Sequence, residues 1–260
     1  MHLVALHGYP LDRRMWDPLA ERAADGRLGR IASVFAPDLR GRGRSPRPAA
    51  PLHTMALFAE DVAEDVDAAL PEGAPFLLAG LSMGGYVCFE FLRRHGRRFR
   101  GRLLGVALFD TKASSDDDAG RAGRKAAIEA IRKDGIEAAL AAMLPKLLAR
   151  GARGTPAEDL AKRMVLATPP ATAMADLAGL AVRSEGFEAL AAWDRPLLVA
   201  VGEEDAIAPP SDAEAMTAVA ARAPWVRLLT VPGAGHLLPL ERPDEAAAGL
   251  AELAEAALRA

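Results

Sequence analysis

Ser82 stands in Gly80-Leu81-Ser82-Met83-Gly84, directly after the apolar run Pro75-Phe76-Leu77-Leu78-Ala79 and before Tyr86-Val87-Cys88-Phe89-Glu90-Phe91-Leu92. In a G-x-S-x-G pattern a buried strand turns into a helix within about one residue, which strains the serine backbone and lifts its hydroxyl out of the sheet. The helix that follows presents N–H groups and its dipole to a developing oxyanion. The pattern alone is weak and also occurs in ordinary loops, but the apolar run before it and the helical run after it give it context. That is acyl-transfer chemistry, and it requires a base within reach of the hydroxyl and a third group to orient that base.

Five histidines are present. His236, in the glycine-rich Gly233-Ala234-Gly235-His236-Leu237 past the last expected strand, is the best base. His7 precedes Gly8 at the end of the first strand and reads as shaping the loop there, whereas His2, His53 and His95 have no such context. For the orienting acid, Val201-Gly202-Glu203-Glu204-Asp205 offers three carboxylates, of which Asp205 is preferred and Asp110, ending the Leu103 to Phe109 strand, is the competitor.

These residues need a scaffold that brings loops from several strands to one rim. Short apolar runs at Leu3 to Leu6, Ile31 to Ala36, Phe76 to Leu81, Leu103 to Phe109, Leu197 to Val201 and Val226 to Leu229 alternate with helix-length segments. The helices are expected at Trp16 to Ala24, Met55 to Leu70, Met83 to Arg94, Ser211 to Ala221 and Pro243 to Ala257. This alternation predicts an α/β fold with a mostly parallel sheet covered by helices on both faces, in which ligands bind beyond the carboxyl ends of the strands. The rhythm breaks between Lys112 and Asp194. Residues 1–111 and 195–260 therefore read as the core and 112–194 as an inserted helical lid, with helices near Ala119 to Lys133, Ile136 to Ala149, Ala157 to Ala167 and Ala171 to Arg183. The run Ser114-Ser115-Asp116-Asp117-Asp118 reads as helix-capping residues in a solvated linker rather than a metal site.

Composition narrows the function. With 260 residues and a net charge of −3, and a pI near 6.0, the chain shows no electrostatic footprint for nucleic acid or an anionic membrane surface. A single cysteine, Cys88, excludes an intramolecular disulfide and reads as helix packing behind Ser82. No secretory leader or membrane-spanning run is visible, so a cytoplasmic location is expected. No metal-ligand cluster is visible, and the chemistry requires no cofactor.

The order Ser82, Asp205, His236 resembles that of the α/β-hydrolase superfamily. Two further segments carry the likeness. His7-Gly8-Tyr9-Pro10 resembles the oxyanion loop of that superfamily, which implies that the backbone N–H groups of Tyr9 and Met83 hold the oxyanion. Asp38-Leu39-Arg40-Gly41-Arg42-Gly43-Arg44-Ser45 resembles the tight turn after the second strand, with its arginines read as fixing the turn rather than binding substrate. The likeness spans essentially the whole chain and points to lid-bearing carboxylesterases and 3-oxoadipate enol-lactonases. One departure stands out: the β-hairpin that usually precedes the His-Gly strand is absent, leaving an edge near Ile31 to Ala36 and making a monomer or a homodimer the expected state.

The resemblance implies ester hydrolysis on short to medium acyl chains through an acyl-enzyme, with small-molecule esters or lactones as the only expected partners. Met143, Leu147 and Met164 are the lid residues expected on the substrate pocket, each with lid core as its plainer reading. Alternatives are an enol-lactonase, with Arg124, Lys125, Arg132 or Lys146 supplying a cation, a cofactor-free perhydrolase or haloperoxidase, a thioesterase and a carbon-carbon bond hydrolase. Ligand binding without turnover on the same fold is the remaining alternative.

Overall fold

A computed structural model describes residues 1–260. Six strands form one sheet in which every pairing is parallel, in the order β2-β1-β3-β4-β5-β6. They are β1 (His2–Leu6), β2 (Ser33–Phe35), β3 (Phe76–Leu81), β4 (Leu103–Phe109), β5 (Leu197–Gly202) and β6 (Val226–Val231). Strands β3 and β5 are buried along their whole length, which is why they read as continuous apolar runs instead of alternating ones. The chain leaves β1 to one side for β2 and returns to the other side for β3. The switch point between β1 and β3 is where a doubly wound sheet opens a crevice, and the loops beginning at His7 and Ser82 both emerge there.

All six strands match expectation to within two residues at either end. The one most shortened is β2, expected over Ile31 to Ala36 but only three residues long. Its register with β1 runs from His2↔Ser33 to Val4↔Phe35, while Ile31 closes a turn onto the Leu28 carbonyl and anchors in the core. As the outermost strand, β2 offers a very short edge, one of the ways proteins blunt unpaired strands.

The sheet is covered by α1 (Asp17–Ala24), α2 (Met55–Ala69), α3 (Met83–His95), α9 (Pro210–Val219) and α11 (Pro243–Arg259). Between β4 and β5 the chain forms α4 (Asp118–Asp134), α5 (Ile136–Leu147), α6 (Pro156–Ala167), α7 (Pro170–Ala181) and α8 (Phe187–Ala192), and no strand. Helix α8 was not among the expected elements; at six residues it is too short for a helical period to stand out from its surroundings. The acidic run divides its labour. Asp117 caps α4 by accepting from the Gly120 N–H at 2.7 Å, and Asp116 pairs with Arg124 at 3.0 Å and Arg183 at 2.6 Å. Helix α4 packs on α7 and α5, and α5 packs on α6.

The junction between α7 and the rest of the chain is ionic and buried. Asp176 of α7 pairs with Arg42 and accepts from His53 Nδ1–H at 2.7 Å, all three side chains being within 1 % of full burial. His53 Nε2 in turn accepts from the Ala50 N–H at 2.9 Å. Arg40 binds Asp61 through two hydrogen bonds of 2.8 and 2.6 Å, and Asp38 accepts from the backbone N–H groups of Arg13 and Arg44 at 2.9 and 2.7 Å. The arginine-rich turn is thus tied down by protein carboxylates, in agreement with its plainer reading. No single helix is long and apolar enough to cross a membrane.

Candidate active site

The strand-to-helix turn at Ser82 has the expected geometry. Ser82 adopts φ +52°, in the region L-residues avoid, and its neighbours leave no room for side chains: a Cβ on Gly80 would strike the Gly84 carbonyl, and one on Gly84 the Leu6 carbonyl. The strained turn is pinned on both sides. The Ser82 N–H donates to the Phe109 carbonyl at 2.9 Å, and the Thr111 hydroxyl donates to the Ser82 carbonyl at 2.8 Å.

Ser82 Oγ lies 2.9 Å from His236 Nε2. On the other side of the ring His236 Nδ1 lies 2.8 Å from Asp205 Oδ2. Since an ionised carboxylate only accepts, this bond fixes the proton on Nδ1 and leaves Nε2 to accept from the serine hydroxyl. Asp205 is buried, and its other oxygen accepts from the Ile207 and Ala208 N–H groups at 2.7 and 3.0 Å, so the carboxylate is held against rotation. Gly202 allows the turn that aims Asp205 back over the sheet, because a Cβ there would run into the carbonyls of Ala234 and Gly235 in the histidine loop.

Asp110, the competing acid, does not reach His236. Its oxygens accept from the Gly202 N–H at 2.9 Å and the Leu238 N–H at 2.8 Å, tying the acid loop to the histidine loop from below. Complete burial, followed by the nearby charge of Asp205, holds its carboxyl well above the usual range.

Tyr9 and Met83, the expected oxyanion donors, flank the serine. A Cβ on Gly8 would lie 3.3 Å from Ser82 Cβ, so the Tyr9 loop packs directly on the nucleophile. Neither the Tyr9 nor the Met83 N–H donates to any group of the protein. His7 shapes this loop, as expected: Nδ1–H donates to the Gly8 carbonyl at 3.0 Å and Nε2 accepts from the Leu39 N–H at 3.1 Å. Burial, and then the Arg42 charge, lowers the His7 pKa to about 4 and keeps the ring neutral. Cys88 is buried in α3, where burial pushes its thiol pKa up and leaves it unreactive.

A cavity of about 390 Å³ lies between the strand ends and helices α4 and α5. Its walls include Tyr9, Tyr86, Met143, Leu177 and Ile207, with Lys112, Arg124 and Lys146 as cations. Of the three lid residues expected there, Met143 lines it. Leu147 and Met164 do not, and this corrects the expectation: both are fully buried in the hydrophobic core, Leu147 because α5 ends on the histidine loop and Met164 because α6 packs against α5 and the Arg13–Trp16 turn. Of the candidate cations, Arg124 and Lys146 line the cavity and Lys125 and Arg132 do not. Tyr86 and Lys112 were not anticipated. Tyr86 follows Ser82 by one helical turn, a spacing that could have flagged it.

The family model for the alpha/beta hydrolase family matches residues 3–249. The chain belongs to the alpha/beta hydrolase family. It is 34% identical in sequence to a thermophilic esterase from Thermogutta terrifontis, solved with malate bound, with a TM-score of 0.87 and coverage of 99% of this chain and 90% of that one. A pimeloyl-[acyl-carrier protein] methyl ester esterase of Neisseria meningitidis serogroup B is 28% identical, with 98% of this chain and 93% of that protein aligned. The enol-lactonase of Burkholderia xenovorans LB400 shares the fold, with a TM-score of 0.81 at 22% identity over 98% of this chain and 91% of that one.

Proposed function

We propose that this alpha/beta hydrolase cleaves carboxylic esters of short to medium acyl chain through a serine acyl-enzyme. The observation that carries the reading is the continuous hydrogen-bonded line from Ser82 Oγ through the His236 ring to Asp205. His236 Nε2 takes the hydroxyl proton as Ser82 Oγ attacks the acyl carbon, and the Tyr9 and Met83 N–H groups receive the oxyanion. The imidazolium then protonates the leaving alcohol. Water, deprotonated by the same nitrogen, attacks the acyl-serine and releases the acid. Asp205 keeps the ring in the required tautomer and offsets the charge it acquires. Helices α4 to α7, within the segment 112–194, form the cap that closes the acyl pocket, with Met143 on its wall. The names of the Thermogutta and Neisseria proteins support an ester as substrate.

A lactone carrying a carboxylate is the second reading, favoured by one observation: Lys112 and Lys146 line the cavity without an ion-pair partner, whereas Arg124 is paired with Asp116. A p-nitrophenyl ester series from acetate to decanoate, run with Ser82→Ala and with 3-oxoadipate enol-lactone as competitor, tests both. Turnover peaking at short or medium chains and lost in the variant is the expected result. Turnover that persists in Ser82→Ala overturns the serine mechanism, and strong competition by the lactone moves the substrate to the second reading.

A further inference from the structure

Glu241 follows His236 by five residues, at the end of the short helix α10 (Leu238–Glu241). Its half-buried carboxylate turns back over the loop it came from. Oε1 accepts from the N–H groups of Gly235 at 3.0 Å and Leu237 at 3.1 Å, the two residues that flank His236. Oε2 accepts from the N–H of Ala149, just beyond α5, at 2.8 Å. The N–H of His236 itself donates to the Leu147 carbonyl at 3.1 Å. Three successive backbone donors around the candidate base are therefore held by one carboxylate and by the end of α5. The contact is tight: a Cβ on Gly235 would lie 2.7 Å from the Leu148 carbonyl carbon.

We propose that Glu241 is a positioning residue for His236, joining the end of α5 to the histidine loop so that the seating of the inserted helices sets the aim of the imidazole at Ser82. The inference rests on the reading of Ser82, His236 and Asp205 as a hydrolytic set. A carboxylate suits this joint because three donors need two accepting oxygens, and no cation competes for them. Burial raises its pKa, opposed by the three N–H bonds and by the charge of His236. The other acids around the loop have separate duties: Asp205 holds the ring, Asp110 holds Leu238 and Gly202, and Glu204 accepts from the Arg150 N–H at 3.0 Å. Misplacing a reacting group by about 1 Å can cost on the order of a hundredfold in rate.

The test measures kcat, KM, melting temperature and the pH profile of p-nitrophenyl butyrate hydrolysis on the full chain. In Glu241→Gln the amide oxygen still accepts from Gly235 and Leu237, but its NH2 confronts the Ala149 N–H and the joint opens. Ala149→Pro removes the same bond from the other side. Its backbone suits the change, with φ −58° at Ala149 and an extended Leu148 before it. Both variants are expected to lower kcat by about ten- to a hundredfold with little change in KM, and the double variant to fall no further. Glu241→Gln alone also moves the acid limb to lower pH, because a charge that favours the imidazolium is gone. Glu204→Ala, which cuts the neighbouring tie to the Arg150 N–H, leaves kcat within about twofold. Wild-type kcat and an unshifted acid limb in Glu241→Gln overturn the positioning role while Ser82→Ala remains inactive. Equal losses in Glu241→Gln and Glu204→Ala that track melting temperature overturn it as well. Turnover that survives Ser82→Ala instead overturns the hydrolytic reading on which this one rests.

Discussion

Asp205→Asn isolates the role of the acid because the structure dictates which way the new amide must face. Oδ1 accepts two N–H groups, from Ile207 and Ala208, so the asparagine carbonyl takes that side and its NH2 is turned on His236 Nδ1. A ring nitrogen facing a donor must accept, which drives the proton to Nε2 and leaves Ser82 Oγ opposite an N–H that cannot take its proton. Flipping the amide to restore the working tautomer would leave two buried N–H groups unpaired, at a cost of about 4 kcal/mol for the pair. That corresponds to roughly a thousandfold in rate. Loss of the carboxylate charge opposite the forming imidazolium adds to it, so kcat is expected to fall by about 10³ to 10⁴. The loop bonds survive, so the melting temperature should move by only a few degrees. Stopped assays on p-nitrophenyl butyrate at saturating substrate, with Ser82→Ala as the floor, read the effect. A loss smaller than about tenfold would refute the orientation argument.

Two further predictions concern stability. His7 is neutral in the folded chain down to about pH 4, against an ordinary histidine value of 6.5. Between those values the unfolded chain binds the extra proton, so stability is unaffected above pH 6.5 and falls as pH drops towards 4, by about 3 kcal/mol in all. Urea titrations at pH 7 and pH 4.5 should show that His7→Gln loses less on acidification than the parent; equal losses would remove His7 as a cause. Asp176→Ala leaves the buried Arg42 without its counter-charge and His53 without its acceptor. Unfolding measurements should find it destabilised by about 3 to 5 kcal/mol, and a change below 1 kcal/mol would show that water replaces the carboxylate.

Much of this was legible in the chain because the informative residues carry local constraints. The strained serine advertises itself through Gly80 and Gly84, whose missing side chains are what the strand-to-helix turn demands. Asp205 could be placed because it follows the buried, apolar β5, and His236 because its glycine-rich loop follows the last strand of the same parallel sheet, whose strands end on one rim. What remained hidden depends on distant partners. Nothing near His53 in the sequence announces Asp176, because the two meet only when α7 packs against the loop preceding α2. Glu241 lies four residues beyond the glycine-rich stretch that marks the histidine loop, and its acceptor role requires the end of α5 to arrive from almost a hundred residues earlier. Leu147 and Met164 failed as pocket residues for a related reason: an apolar side chain on an amphipathic helix reads the same whether it faces a cavity or a core. Strand β2 pairs its three residues with only His2, Leu3 and Val4 of the five-residue β1, an extent that periodicity does not report.

The central claim is that Ser82 forms a covalent acyl intermediate. Its most direct test is stoichiometric labelling with a p-nitrophenyl alkylphosphonate, followed by intact mass and peptide mapping. The account predicts one phosphonyl group per chain on Ser82, release of one equivalent of p-nitrophenol in step with loss of ester hydrolysis, and no adduct in Ser82→Ala. An enzyme that hydrolyses esters yet remains unlabelled, or carries the adduct on another residue, would contradict it.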